Sequence, residues 1–264
     1  PPPTPAPSPM LALRSALRSL RATPLVTTVA LLALALGIGA NTAIFSIVDA
    51  LLLKSLPVAH AERLFVVQNT NDDGGFRRSW TNPIWEQVRE RQDVFDGAFA
   101  AGFNRFNANA GGEVDPIDGA FVSGRYFEVL GVQPRAGRFI TPEDDRRGGG
   151  ADGPVVVISD RLWRARFGGT ADAVGRTLQL SNVLYTIIGV APPSFLGHSP
   201  GLGMDVWVPL GTEPLVRGRD SSLDRRSTWW LQIFVRRRTD QNAEGALAAL
   251  RGIQPAVREA TIPD

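Results

Sequence analysis

Two histidines, one acidic triplet and a few arginine groups are the residues here whose types could do chemistry. His60 follows a long apolar run, and His198 stands in the Gly/Pro-rich stretch SFLGHSPG. Zinc-assisted hydrolysis needs paired ligands, such as two histidines four apart on one helix face. Neither histidine has such a neighbour, and each reads as a solvated surface residue. Glu143, Asp144 and Asp145 follow Thr141-Pro142. Adjacent carboxylates attract cations, but a calcium loop alternates its ligands, and this cluster does not. It reads as a charged loop with the helix-start character of Thr-Pro-Glu-Asp. Gly148–Gly150 is not followed by Gly-Lys-Ser/Thr, so it is no phosphate loop, and no Gly-x-Ser-x-Gly elbow occurs. Gly37-Ile38-Gly39 opens like a dinucleotide fingerprint, but Thr42 stands where the third glycine belongs. With no cysteine there is no disulfide and no thiolate metal site. The sequence assigns no catalytic, cofactor-binding or metal site, and no cofactor.

The arginines admit a different chemistry. Arg161, Arg164 and Arg166 read as the exposed side of a helix that buries Leu162, Trp163 and Phe167, with a phosphate or lipid-head contact as the alternative. Arg14, Arg18 and Arg21 repeat at helical spacing beside Leu13, Leu17 and Leu20. Such a helix can lie in the cytoplasmic headgroup layer with its arginines on anionic lipid; the plainer alternative is a solvated juxtamembrane turn. Removing Arg14, Arg18, Arg21, Lys54 and Asp49 from totals of 28 basic and 26 acidic residues leaves 24 and 25 in 55–264. That near-neutral balance speaks against a nucleic-acid partner, which would demand a strong cationic excess.

These groups must be positioned by elements, and the first is a membrane span. Residues 25–48 carry no charge. As a helix they extend about 36 Å, more than the ~30 Å hydrocarbon core. A core helix would show a polar face, whereas little here is polar beyond Thr27, Thr28, Asn41 and Thr42. A cleaved signal has an apolar core of about 7–15 residues, although the small residues at 40–43 mimic a cleavage site. Residues 1–24 hold three arginines and no acid, while Lys54 and Arg63 are offset by Asp49 and Glu62. The positive-inside rule then puts the N-terminus in the cytoplasm. Gly37, Gly39 and Ala43 offer small surfaces against which another helix can pack.

The expected organisation is a disordered Pro-rich start at 1–9, an amphipathic helix at 10–24, the span at 25–53 and a domain over 54–264. Stretches 69–79 and 141–153 read as loops with too few apolar residues to order themselves, and the second could divide the domain into two subdomains. Periodicity predicts strands at 64–68, 95–109, 117–122, 155–158, 176–180, 183–190, 206–208 and 228–238. It predicts helices at 82–91, at 124–130 ended by Gly131, and at 159–167 capped by Ser159 and stopped at Gly168-Gly169, with a hairpin turn at Ser181-Asn182. A final helix, capped by Asp240, carries Ala243, Leu247 and Leu250 on its apolar face. Trp229 and Trp230 would then point to opposite faces of one strand. Interspersed strands and separate helices indicate an α+β fold.

Several segments resemble one family in order and spacing. ALLALALGIGANTAIFSIVDALLLKSLP (30–57) is similar to the first transmembrane segment of MacB-like permeases. FVSGRYFEVLGVQPRAGRFITPEDD (121–145), VVVISDRLWRARFGG (155–169), VGRTLQL (174–180), YTIIGVAPPSF (185–195) and DVWVPL (205–210) resemble successive signatures of their periplasmic core domain. The likeness covers about residues 14–250 and is strongest to the orphan-permease, FtsX-like branch. It implies an extracytoplasmic domain of a type VII ABC transporter permease in the inner membrane, with one helix before the domain and three after it. Those three are missing, so the resemblance implies a piece of a longer protein. It further implies a separate ABC ATPase subunit, a permease dimer partner and a domain that transmits ATP-driven motion without an active site. Two other readings stand beside it: an anchored module that binds an envelope ligand, and an anchored hydrolase.

Overall fold

In this computed structural model, residues 22, 24–48, 58–70, 75–110, 113–199 and 201–262 are described. The readings at 1–9, at 10–21 with Arg14, Arg18 and Arg21, and at 49–57 lie outside them. The described chain forms two compact units, Pro1–Lys54 and Ser55–Asp264.

The first unit contains helix α1, Pro24–Val48. Its stretch Pro24–Phe45 is long and apolar enough to cross a membrane, with mean hydropathy 1.9. Leu25, Leu36, Ile44 and Phe45 are all exposed. Water around such a surface is unfavourable by roughly 25 cal/mol per Å² of apolar area, and lipid removes that penalty.

The second unit is built on strands β1 (Leu64–Val66), β4 (Gly97–Ala110), β5 (Glu113–Val122), β6 (Ala136–Gly137), β7 (Val155–Ile158), β8 (Thr177–Leu180), β9 (Val183–Val190), β10 (Val206–Pro209) and β11 (Gln232–Arg236). They form one sheet in the order β1-β11-β4-β5-β10-β7-β9-β6, with β8 pairing β4 and β9. β10 runs parallel to β5, and β7 to β9; the remaining pairs are antiparallel. The sheet is mixed, with mostly antiparallel pairs and two parallel ones, as an α+β fold allows. Strands from before and after 141–153 share this one sheet.

Both faces of the sheet are covered, which is why VVVI at β7 is an unbroken apolar run. On one face Ala98, Ala100, Phe106, Val156, Ile158, Val206, Val208 and Ile233 meet Trp85 and Val88 of α2 (Asn82–Glu90), Leu162 and Trp163 of α4 (Asp160–Phe167), and Val257 of α6 (Ala243–Thr261). On the other, Phe99, Ala101, Val155, Val157, Trp207 and Phe234 meet Tyr126, Phe127, Val129 and Leu130 of the short helix α3 (Tyr126–Leu130). A fifth domain helix, α5, spans Glu213–Arg217.

Local chemistry sets most ends. Thr81 and Ser159 accept from the N–H groups of Ile84 and Leu162 at the starts of α2 and α4. Ser181 and Asn182 adopt φ of 47° and 68°, the left-handed pair of a two-residue hairpin between β8 and β9.

Four expectations change. The strand expected over 228–238 is confined to Gln232–Arg236, because Trp230 turns onto Phe121 and Arg217 while Trp229 stacks near Trp80 and Arg77. Asn242, not Asp240, caps the last helix, accepting from Gly245 N at 2.7 Å. Its buried residues are Ala246, Val257 and Thr261, and Leu247 is exposed. Within 69–79, β2 (Asn69–Thr70) pairs with β3 (Phe76–Arg77) through backbone bonds that need no apolar core.

Candidate coupling site where the chain joins the domain

The segment 58–63 leads from the first unit into β1, and unlike ordinary loops it is tied down by specific bonds. Ala59 N donates to Leu130 O at 3.0 Å. Arg236 donates from Nε to Val129 O at 2.7 Å and from Nη1 to His60 O at 3.0 Å. The last carbonyls of a helix have no partner within it. Two of the carbonyls that end α3 are therefore satisfied by the incoming chain and by β11, the strand next to the sheet's edge. Arg236 is 8% exposed, and burial pushes its pKa down. Its Nη2 has no hydrogen-bond partner.

A second arginine closes the clamp. Arg63 donates to Arg237 O at 2.7 Å and pairs with Asp96. Arg237 N in turn donates to Arg63 O at 3.0 Å, and Asp96 N to Arg236 O at 2.9 Å. Leu64 lies opposite Arg236 in the β1–β11 ladder. The strand that begins the domain and the strand that ends its sheet thus meet side by side, held by the same residues. Gly131 ends α3 at φ +68°, and a Cβ there would lie 2.5 Å from Cβ of Ala59. The incoming chain fits only against a glycine. Sequence pattern gives none of these arginines a place in a clamp; the alternation over 228–238 marks a strand, but a buried guanidinium within it has no local signature.

His198 is corrected. It is 4% exposed, and its Nδ1 is 3.1 Å from the Tyr126 hydroxyl on α3. Phe99 and Phe234 flank its ring. Burial pulls its pKa down to about 4, opposed by the Gln232 side chain, so the imidazole is neutral at pH 7. His60 is exposed, with φ 49°, and lies 3.5 Å from Glu62.

The acidic triplet is also corrected. Asp144 and Asp145 turn inward, while Glu143 stays exposed. Asp144 accepts from both Arg138 terminal nitrogens and from Thr141 N. Asp145 accepts from Gly124 N at 2.9 Å and Gly211 N at 2.7 Å, joining the chain just beyond the ends of parallel β5 and β10. Burial pushes its carboxyl up to about 7, against the pull of those two N–H groups and of Arg89. Carboxylate bonds order this stretch in place of apolar contacts. A recess of about 430 Å³ beside Asp145 is lined by Asn82, Glu86, Arg147 and Gly211 among others. Arg147 already pairs with Glu86 and Asp224. Among the described residues, no group of three or more His, Cys, Asp or Glu is placed to hold a metal ion.

The other flagged residues sit apart. Arg161, Arg164 and Arg166 pair with Asp205, Asp160 and Asp115, so carboxylates already occupy them. Gly37, Gly39 and Ala43 lie on α1, with no atom within 4 Å of a Cβ added at either glycine. Gly39 and Ala43, four apart, share a face; Gly37, two before Gly39, faces about 200° away.

Residues 27–253 match the model of the MacB-like periplasmic core domain family. Over 91 residues, 34% of this chain, the sequence is 33% identical to an export ATP-binding/permease protein of Pseudomonas fluorescens (strain Pf0-1). The chain spans 13% of that protein's length. The fold is similar to the periplasmic region of MacB from Actinobacillus actinomycetemcomitans, with TM-score 0.51 and 14% identity over 74% of this chain and 82% of that one. It is also similar to a domain of a permease protein from Porphyromonas gingivalis, with TM-score 0.51 and 18% identity over 78% and 88% of the two chains. At these identities the structures speak for the fold alone.

Proposed function

The chain belongs to the family of MacB-like periplasmic core domains, and on that premise we propose that it is a non-catalytic permease component of an ABC-type export system. Its domain passes ATP-driven motion to a substrate or partner outside the membrane. The observation that carries this is the clamp: the segment arriving from α1 is bonded to α3, to β11 and to Asp96 just before β4, so displacement of that segment must load the sheet and α3 together.

A separate ABC ATPase subunit works on the cytoplasmic side, and a second permease is the dimer partner. α1 crosses the inner membrane with the N-terminus inside and the main domain in the periplasm or outside. Arg14, Arg18 and Arg21 lie on the lipid headgroups. Of Gly37, Gly39 and Ala43, the last two form with Ala35 one small-residue row for helix packing, and Gly37 lies off that row.

The test is ATPase stimulation by the full-length permease co-purified with its ATPase. Arg236→Ala removes the bonds to Val129 O and His60 O and should lower stimulation several-fold, at a temperature where melting curves show both proteins folded. Stimulation equal to wild type, with the fold intact, would remove the clamp from the mechanism. Absence of any nucleotide-dependent coupling in the wild type would overturn the transporter reading itself.

A further inference from the structure

The loop 191–205 joins β9 to β10 and turns some side chains inward and others outward. Phe195, His198 and Met204 are buried, whereas Leu196 and Leu202 are 59% and 51% exposed. It is a surface loop held by three anchors, with two leucines presented to solvent. Its His198 anchor reaches Tyr126, the first residue of α3. Tyr126 also packs edge-on to Phe99, Phe127 and Phe195. The other end of the same five-residue helix carries the Val129 and Leu130 carbonyls that hold Arg236 and Ala59. A helix of little more than one turn cannot absorb a push at one end without moving the other.

We propose that His198, Tyr126 and α3 form a relay that couples the position of the Leu196–Leu202 loop to the clamp on the incoming chain. His198 and Tyr126 are positioning residues: they act through α3 and touch no substrate. The inference deepens the mechanical reading and rests on it for its purpose, but its physical content concerns this chain alone. Spatial adjacency is only a suggestion of coupling; a perturbation at one end that is read at the other demonstrates it.

These 264 residues contain no cysteine, so Leu196→Cys gives them one attachment point. The full chain in lipid nanodiscs is labelled there with a bulky maleimide, and hydrogen exchange is followed at the Ala59 amide, whose acceptor is Leu130 O. The label should change Ala59 exchange roughly three- to tenfold, the scale of one hydrogen bond. In a Tyr126→Phe background, which keeps the ring and removes only the hydroxyl, that response should vanish. Exchange in the β8–β9 hairpin should not respond in either background, which separates a relay from general loosening. No response at Ala59, or one unchanged by Tyr126→Phe, overturns the relay. His198→Gln provides a second break in the same bond and must give the same loss. No ATPase is present, so failure here is distinct from failure of ATPase stimulation in the transporter test.

Discussion

A carboxylate whose two close hydrogen-bond donors are backbone N–H groups has a protonation state with a measurable consequence. Asp145 is pushed up to about 7 by burial, from 3.8 in an open chain. Between about pH 4 and 7 the folded protein therefore holds a proton at Asp145 that the unfolded chain does not. Stability contributed by this group falls as pH rises through that window and is flat above it. His198 has the opposite sign: held down at about 4 from 6.5, it favours the unfolded chain increasingly as pH drops below 6.5. The two partly cancel in the wild type, so the informative quantity is a difference. The melting temperature of wild type minus that of Asp145→Asn should decline from pH 5 to 7 and then level off. A constant or rising difference would show that Asp145 is an ordinary ionised carboxylate. Neither residue could be placed from sequence: a histidine in a Gly/Pro loop and an acid beside two other acids both look solvated. What buries them comes from Tyr126, 72 positions away from His198, and from Gly211, 66 away from Asp145.

At the scale of elements, what a short segment fixes by itself was legible. Ser159 as a cap, Gly168 as a stop and Ser181-Asn182 as a turn each act through bonds within a few residues. So did the buried run at β7, where every side chain is apolar. What failed were choices between neighbours of similar chemistry, as with Asp240 and Asn242, and ends decided by distant packing, as at 228–231, where Trp230 leaves the strand for Phe121. α3 shows both kinds. Gly131 was readable as its stop, but the reason no other residue serves lies at Ala59. Gly131→Ala should destabilise the domain by about 1–3 kcal/mol, part from the left-handed backbone and part from the 2.5 Å approach to Ala59 Cβ. Adding Ala59→Gly relieves only the second part. A double-mutant cycle on denaturant unfolding should show coupling between the two sites. Additive effects would mean that the incoming chain does not pack against α3 in solution.

At the scale of the molecule, the two features easiest to read were the charge-free stretch that became α1 and the consecutive family signatures from 121 to 210. Both are distributed over many residues, so no single tertiary contact can mask them. The clamp was not readable, because it is made of pairwise meetings between 58–63, 129–130 and 236–237. The proposed orientation rests on charge alone: three arginines and no acid precede the span, and the other flank is balanced. With a tag at each end of the chain, external protease on intact spheroplasts should remove the domain while the N-terminal tag survives. The clamp makes this a test of mechanism as well as of address. A domain on the same side as the ATPase would need no motion carried across the bilayer, and the bonds that fasten 58–63 to α3 and β11 would then have to be explained as anchoring alone. Protection of residues 55–264 until the membrane is permeabilised would establish that arrangement. Cleavage from outside instead puts α1 between the proposed ATPase and the clamp, where force from one must pass to the other.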